Sequence, residues 1–219
     1  MTLSVLILTP QVVLGQLLAD ALGTARGLAP IRHCRWGKDA LAEARKRPWS
    51  VVLIDAAISD QDPFDLAASI QRLRPRTRIL FFAQSVPIGW VSRAIEVGAA
   101  GYLGKCASRE DYERAVRAAA GGQAYFTPCA ARVVSELAAH EQKIPILSTR
   151  ERAVLRHLSE GRPSKEIATL LRISVKGVEA VRSRLMRKSG TTSAAALVRY
   201  ALCEGLIPCR PASEPGPSD

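Results

Sequence analysis

Residues 147–188 combine basic side chains with the spacing of a DNA-binding motif. Apolar residues recur at helical spacing on inward faces, which predicts two short helices, a tight turn and a basic helix; these residues are Ile167, Ala168, Leu171, Ile173, Val178 and Leu185. Ser174 can cap the last helix, since its hydroxyl can accept a hydrogen bond from a backbone N–H two or three residues later. The pattern is typical of a helix-turn-helix whose second helix enters the major groove, so the predicted ligand is duplex DNA.

The positive charge of the chain is concentrated in the same region. The 219 residues carry a formal net charge of +11, and residues 148–205 hold twelve Lys and Arg against five Asp and Glu. A basic surface on a compact helical segment raises affinity for phosphate backbones and makes binding sensitive to salt. For the charge alone, a solvated surface without a nucleic-acid partner stays an alternative.

Cysteine and histidine residues form no predicted metal or disulfide site. The five cysteines are odd in number, scattered and without a C-x-x-C pair, which favours reduced thiols in the cytoplasm. Cys106, next to Lys105, stays open as a redox sensor or an inert residue. The sequence contains no run of eighteen apolar residues and no secretory leader, so a cytoplasmic protein without a membrane partner is expected. We predict no catalytic site and no cofactor.

The first 125 residues alternate short apolar runs with stretches of helical periodicity. Strands are predicted at 3–8, 31–36, 51–55, 78–82 and 99–103, and helices near 10–22, 38–47, 63–74, 87–97 and 108–120. This alternation indicates a five-stranded parallel sheet covered by helices on both faces. Because ligands of such sheets bind beyond the carboxyl ends of the strands, the positions of interest are Thr9, Pro10, Asp55, Ala83, Gln84 and Lys105.

The rest of the chain divides into a linker, a second domain and a tail. The first domain is predicted over 1–124, and a linker at 125–146 contains a helix near 129–141. A four-helix domain is predicted over 147–208, and residues 209–219, rich in Pro and Ser, are expected to be disordered. The predicted fold class is therefore α/β plus all-α.

Three segments carry a resemblance to a known family: VVLID ending in Asp55, VGAAGYLGK ending in Lys105, and LSTRERAVL…GRPSKEIATLLRISVKGVEAV. The chain resembles response regulators of the NarL/FixJ type, which join a flavodoxin-like (βα)5 receiver to a LuxR-type helix-turn-helix domain. The resemblance implies a receiver that binds Mg²⁺ and accepts a phosphoryl group on Asp55, with Lys105 pairing with the product phosphate. It also implies double-stranded DNA, a second copy of the chain, RNA polymerase and a histidine kinase as partners.

Two parts of the family's phosphorylation site are missing. Thr9 and Pro10 stand where the family has an acidic pair, and Ala83 stands at the position of a switch hydroxyl. Mg²⁺ prefers anionic oxygen ligands, and Asp55 supplies a single carboxylate, so Mg²⁺ binding is expected to be weak or absent. Pro10 is predicted instead to begin a helix capped by Thr9. We expect an atypical receiver in which Asp55 forms an ion pair with Lys105, or is simply solvated at the end of its strand.

The predicted recognition helix also departs from the family pattern. The pattern's Thr, Lys and His correspond to Gly177, Glu179 and Val181. Glu179 could accept a hydrogen bond from cytosine or pair with a neighbour such as Arg182, and both interpretations stay open. Positions predicted to contact or face DNA are Lys165, Lys176, Glu179, Ala180, Arg182, Ser183, Arg184, Arg187 and Lys188. In the family, the helix that follows, here 191–203, is a dimerisation surface.

Three functions stay open at this point. The first is a DNA-binding transcription regulator with a degenerate phosphorylation site and control that does not depend on phosphorylation. The second is a conventional response regulator phosphorylated on Asp55 by a histidine kinase. The third is an adaptor that pairs with another regulator without binding DNA. The target genes, the sign of regulation and the input signal are not predicted.

Overall fold

The computed structural model describes residues 2–139 and 147–203. Contacts divide these residues into two compact units, of which the first ends at Ala138 and the second begins at Ala139. The predicted tail at 209–219 and the last part of the predicted linker lie outside the described residues.

The first unit is a parallel sheet with helices between its strands. The elements are β1 (Leu3–Leu8), α1 (Val12–Gly23), β2 (Leu28–Cys34), α2 (Gly37–Lys46), β3 (Val51–Asp55), α3 (Pro63–Leu73), β4 (Arg78–Ala83), α4 (Ile88–Glu96), β5 (Gly101–Gly104), α5 (Arg109–Ala120), β6 (Tyr125–Phe126) and α6 (Pro128–Ala139). The strand order is β2-β1-β3-β4-β5-β6, and every neighbouring pair is parallel. The doubly wound α/β fold predicted from the alternation is confirmed.

The sheet has six strands rather than the five predicted. β6 contains only Tyr125 and Phe126, which pair with Gly101 and Tyr102 of β5, and two residues are too few to show a strand periodicity. Gly101 permits this pairing, because a β-carbon at that position would lie 1.8 Å from the carbonyl oxygen of Tyr125. The sequence assigns residues 125–146 to a linker, whereas β6 and α6 pack with the first unit.

The second strand begins and ends earlier than the sequence predicts. β2 covers Leu28–Cys34 rather than 31–36, and Trp36 becomes the N-cap residue of α2. The early start is held by a hydrogen bond from the Leu3 N–H to the Gly27 carbonyl. The exposed residues Ala29, Pro30 and Arg32 interrupt the apolar pattern of β2, because an edge strand needs only one buried face.

Two apolar layers enclose the sheet. Leu22 of α1 and Val116 of α5 belong to one layer, and residues of α2, α3, α4 and α6 belong to the other. The central strands are buried on both faces: all four residues Val5–Leu8 and all five residues of β3 are fully buried. This double burial explains why these strands are continuous apolar runs in the sequence. The parallel strand order places the carboxyl ends of β1, β3, β4 and β5 side by side.

Over residues 147–203 the second unit contains four helices, as predicted. These are α7 (Thr149–Ser159), α8 (Ser164–Leu170), α9 (Val175–Ser189) and α10 (Ala194–Cys203). Ser148 and Glu151 form a capping box at the start of α7, and the Ser174 hydroxyl caps α9 by accepting the N–H of Gly177. The helices enclose one apolar core, which includes Val154, Leu155, Ile167, Val178, Leu185, Leu197 and Ala201. None of the helices in the described residues is long and apolar enough to span a membrane.

Candidate functional site

The residues predicted to form a site on the first unit meet at the carboxyl edge of the sheet. Asp55 is the last residue of β3, Ala83 is the last residue of β4, and Lys105 follows β5. Thr9 follows β1, and β3 lies between β1 and β4 in the sheet. The backbone N–H of Lys105 donates to the Ala83 carbonyl at 2.8 Å, which ties the lysine loop to β4. Parallel strands in this order therefore bring Thr9, Asp55 and Lys105 together.

Both carboxylate oxygens of Asp55 are occupied by hydrogen-bond donors. Oδ2 lies 2.7 Å from Nζ of Lys105 and accepts the hydroxyl of Thr9, also at 2.7 Å. Oδ1 accepts the backbone N–H of Ala57 at 3.0 Å. Asp55 and Thr9 are fully buried, and only 10% of the Lys105 side chain is exposed. The ion pair expected from the sequence is thus present, and its low-dielectric surroundings make it strong relative to a surface pair.

The segment after β1 supports this ion pair through contacts that the sequence alone does not indicate. The prediction that Pro10 begins α1 under a Thr9 cap is wrong, because the helix starts at Val12 and its N-cap residue is Gln11. The Thr9 hydroxyl donates to Asp55 and accepts the N–H of Gln11 at 3.3 Å, so it serves the carboxylate rather than the helix. The Gln11 Oε1 accepts a second hydrogen bond from Lys105 Nζ at 3.2 Å.

The residues at this edge do not fit a magnesium ion. Mg²⁺ requires several oxygen ligands, preferably anionic, and among Thr9, Pro10, Asp55, Ala83 and Lys105 the single anionic group is the Asp55 carboxylate. Its Oδ2 is occupied by an ammonium and a hydroxyl, while Pro10 has no side-chain oxygen to offer. In the part of the chain that the structure describes, no three His, Cys, Asp or Glu side chains are grouped to hold a metal.

Two further residues of β4 and β5 shape the same edge. Ala83 is buried and carries no hydroxyl. On the neighbouring strand, Tyr102 is also buried, and its hydroxyl has no hydrogen-bond partner among the described residues. Burial raises the pKa of Tyr102 far above its ordinary value, with the negative charge of Asp55 adding to the effect. The phenol is therefore neutral and held inside the fold.

The second candidate site is the outer face of α9. Val178, Val181 and Leu185 are buried against the other helices, as the spacing predicts. The side chains that this orientation leaves exposed are Lys176, Glu179, Ala180, Ser183, Arg184, Arg187 and Lys188, with Arg182 half-buried. The turn before α9 contains Arg172 in the left-handed region at φ 52. Arg172 is exposed and adds a basic side chain to this turn; helical spacing does not indicate it, because it does not lie on a helix.

Glu179 forms contacts within the second unit. Its Oε1 accepts the hydroxyl of Ser164 at 2.6 Å, and the guanidinium of Arg182 lies 3.8 Å away. Ser164 is the first residue of α8, so Glu179 links the two helices of the predicted helix-turn-helix. This geometry favours the interpretation of Glu179 as a partner of neighbouring side chains over that of a cytosine acceptor.

Lys188 is also held by an acidic partner. Its Nζ lies 2.9 Å from both carboxylate oxygens of Glu151, which is 2% exposed. Although burial disfavours the charged carboxyl, the hydrogen bonds from Lys188 and Ser148 lower the pKa of Glu151 below its ordinary value. Within residues 147–203, the basic side chains of Lys165, Lys176, Arg184 and Arg187 form no ion pair. The positive charges of these four side chains are therefore not neutralised by an acidic partner within residues 147–203 and can interact with phosphates.

Both units match models of known protein families. Residues 5–117 match the response regulator receiver domain, and residues 145–201 match the bacterial regulatory proteins of the luxR family. Over 203 residues the chain is 29% identical to the transcriptional activator protein ExaE of Pseudomonas putida, covering 90% of this chain and 94% of that protein. It is 30% identical to the Fimbriae Z protein of Salmonella typhimurium, over 78% of this chain and 82% of the relative.

Solved structures show the same fold. RcsB from Salmonella enterica serovar Typhimurium, bound to the promoter rprA, superimposes with a TM-score of 0.70 at 20% identity. The match covers 91% of this chain and 98% of RcsB. A LuxR-family response regulator from Aurantimonas matches with a TM-score of 0.60 at 18% identity, over 64% of this chain and 100% of its own.

Proposed function

The chain belongs to the response regulators with a luxR-family DNA-binding domain, and from this premise we propose that it regulates transcription without routine Mg²⁺-dependent phosphorylation. The observation that carries the proposal is that both carboxylate oxygens of Asp55 already accept hydrogen bonds, which come from Lys105, Thr9 and Ala57. The ion pair holds the receiver in one state without a phosphoryl group. The input signal therefore reaches the protein by a route other than phosphorylation of Asp55.

The electrostatics of the cluster support this proposal. Transfer of a phosphoryl group to a carboxylate brings anionic oxygens towards the attacking group, and a divalent cation normally offsets that charge. Here the only cation next to Asp55 in the described residues is the Lys105 ammonium. An attack through Oδ2 would first require both of its 2.7 Å contacts to break, while Oδ1 already accepts the Ala57 N–H. Breaking buried charged contacts costs several kcal/mol, and within residues 2–139 and 147–203 no three acidic, His or Cys side chains are grouped to hold a metal in compensation.

Intact mass measurement tests the proposal directly. The full-length protein is incubated with Mg²⁺ and a small phosphodonor such as acetyl phosphate, and its mass is recorded before and after acid treatment. We expect the mass to stay unchanged. A stoichiometric, acid-labile phosphate adduct that is absent from Asp55→Ala would overturn the proposal.

A matched variant tests the cause. Thr9→Asp combined with Pro10→Asp adds two carboxylates beside Asp55 and removes one donor from its Oδ2. Calorimetric titration with Mg²⁺ is expected to give saturable binding at millimolar metal for this variant and none for the wild type, with circular dichroism as the folding control. Equal binding by both proteins would contradict the assignment of the deficit to residues 9 and 10.

The second unit is proposed to bind duplex DNA through the outer face of α9. Lys176, Arg184 and Arg187 are exposed on this helix and have no ion-pair partner within residues 147–203, and Lys165 adds a fourth such charge on α8. These side chains are suited to phosphate contacts, which orient a recognition helix, while Ala180 and Ser183 face outward between them. A second copy of the chain, paired through α10, would present two such helices to half-sites about one helical turn apart.

An electrophoretic shift on a genomic library, at two salt concentrations, separates this function from that of an adaptor without DNA affinity. We expect binding with a sequence preference and a linear decrease of log K with log salt. The absence of any shifted duplex at low salt would favour the adaptor.

A further inference from the structure

Two cysteines that are 23 positions apart in the chain come together at one glycine. Cys106 follows Lys105 in the turn after β5, and Cys129 lies in the first turn of α6. A β-carbon placed on Gly104 would lie 3.2 Å from Sγ of Cys106 and 3.5 Å from Sγ of Cys129, so the two sulfur atoms are at most about 6.7 Å apart. Because Gly104 has no side chain, nothing from that position stands between them.

Both thiols are open to small reagents. Cys106 and Cys129 are exposed, whereas Cys34 is buried in β2. Burial next to Glu43 raises the pKa of Cys34 to about 11, which makes it unreactive at neutral pH. The Sγ of Cys129 has one polar neighbour in the described residues, the Thr127 hydroxyl at 3.3 Å. The first unit thus contains one accessible pair of thiols and one inert thiol that serves as an internal reference.

We propose that Cys106 and Cys129 form a reversible disulfide in response to a hydroperoxide. In the first step, the sulfur of one cysteine attacks one oxygen of the hydroperoxide. The S–O bond of a sulfenic acid forms as the O–O bond breaks, and water is released when the oxidant is hydrogen peroxide. In the second step, the other thiol attacks the sulfenic sulfur and the S–S bond forms. The S–O bond breaks, and the sulfenic hydroxyl leaves as water with the proton of the attacking thiol. Two electrons pass from the two sulfurs to the peroxide, and a dithiol or thiol reductant reverses the change.

The position of the pair connects it to the candidate site. The disulfide would join the turn that carries Lys105 to the first turn of α6, the last helix of the first unit. Lys105 Nζ contacts Asp55 at 2.7 Å, so a cross-link one residue away restrains the loop that supplies this contact. This consequence rests on the proposed function, since it makes the thiol oxidation state an input to the Asp55 cluster. Formation of the disulfide itself does not depend on DNA binding.

Peptide mapping of the full-length protein tests the proposal. The reduced protein is treated with a small excess of hydrogen peroxide, its free thiols are blocked, and it is digested with trypsin without reduction. We expect peptide 106–109 to be linked to peptide 118–132, and the free thiols to fall from five to three per chain. The rate of linkage should not change with protein concentration, because both thiols belong to the same chain.

Cys106→Ser and Cys129→Ser are each expected to abolish the linked pair, whereas Cys34→Ser leaves its yield unchanged. Dithiothreitol should restore all five thiols. Linkage of either peptide to the C-terminal peptide that holds Cys203 and Cys209 would overturn the proposal, as would oxidation of Cys106 to sulfinic acid without linkage. Because the map requires no DNA, a failure of DNA binding leaves this result unaffected, and the two proposals can fail separately.

Discussion

Replacement of Lys105 by methionine tests the energetic basis of the Asp55 cluster. Methionine keeps the length of the side chain and removes the ammonium that lies 2.7 Å from Asp55 Oδ2. The carboxylate then stays fully buried with two donors, the Thr9 hydroxyl and the Ala57 N–H. We expect the first unit to be strongly destabilised, because an uncompensated buried charge remains.

The magnitude follows from the burial of the two partners. Removing one member of a buried ion pair costs about 3–5 kcal/mol, and the lower end applies because two donors to Asp55 stay in place. A loss of about 3 kcal/mol corresponds to a decrease of about 10 °C in the unfolding midpoint of a unit of this size. Asp55→Asn should cost less than Lys105→Met, since the Lys105 ammonium keeps its contact with Gln11 at 3.2 Å and its side chain is 10% exposed, whereas that of Asp55 is fully buried.

Tryptophan fluorescence measures this loss in the first unit alone. Trp36, Trp49 and Trp90 are the three tryptophans of the chain, and all of them precede the second unit. Urea titrations of wild type, Lys105→Met and Lys38→Met then give the free energy of unfolding of the first unit. Lys38 is an exposed lysine without an ion pair in the described residues, so its replacement controls for the change of net charge.

The reasoning would be refuted if Lys105→Met lowered the free energy of unfolding no more than Lys38→Met does. Such a result would mean that the contact with Asp55 contributes nothing beyond an exposed charge. A cost for Asp55→Asn that exceeds the cost for Lys105→Met would refute the assumed asymmetry between the buried carboxylate and the partly exposed ammonium.

Three other substitutions have defined outcomes. Although burial opposes ionisation of Asp62, the two hydrogen bonds and the charge of Arg93 lower the pKa of this carboxyl below its ordinary value. The stability that this pair contributes is therefore fully present above the ordinary pKa of an aspartate, and it is lost as the pH falls through the lowered pKa of Asp62. Urea titrations at several pH values should show that Arg93→Met costs about 2 kcal/mol near neutral pH and flattens this acid dependence. Arg184→Ala should weaken binding to all duplexes alike and reduce the salt slope by about 0.9 in fluorescence anisotropy titrations, and a loss confined to one sequence would contradict a phosphate contact. Lys188→Met should lower the stability of the second unit by about 2 kcal/mol, because buried Glu151 keeps its hydrogen bonds from Ser148 but loses its cationic partner; an unchanged far-UV melting curve would contradict this role.

The architecture was predictable because it depends on local patterns. Strands buried on both faces, such as Val51–Asp55, must be apolar along their whole length, and amphipathic helices repeat their apolar residues every three or four positions. The start of α9 was predictable from Ser174 for an equally local reason, since the Ser174 hydroxyl accepts a hydrogen bond from the N–H of the residue three positions later. β6 contains only two residues and was not predicted, and the edge strand β2 was predicted to start three residues and to end two residues later than it does, because neither shows a continuous apolar run.

The sequence by itself determined the fold class, the order of the two units, the position of Asp55 and Lys105 at strand ends, and the absence of an acidic pair after β1. Only the tertiary structure decided how these groups are used. Thr9 donates to a carboxylate 46 residues away, Lys188 holds a glutamate 37 residues away, and Cys106 meets Cys129 across Gly104. Periodicity reports which face of an element is buried, but contacts between distant side chains depend on which strands are neighbours and in what register. That information arises only when the sheet and the helix bundle are assembled.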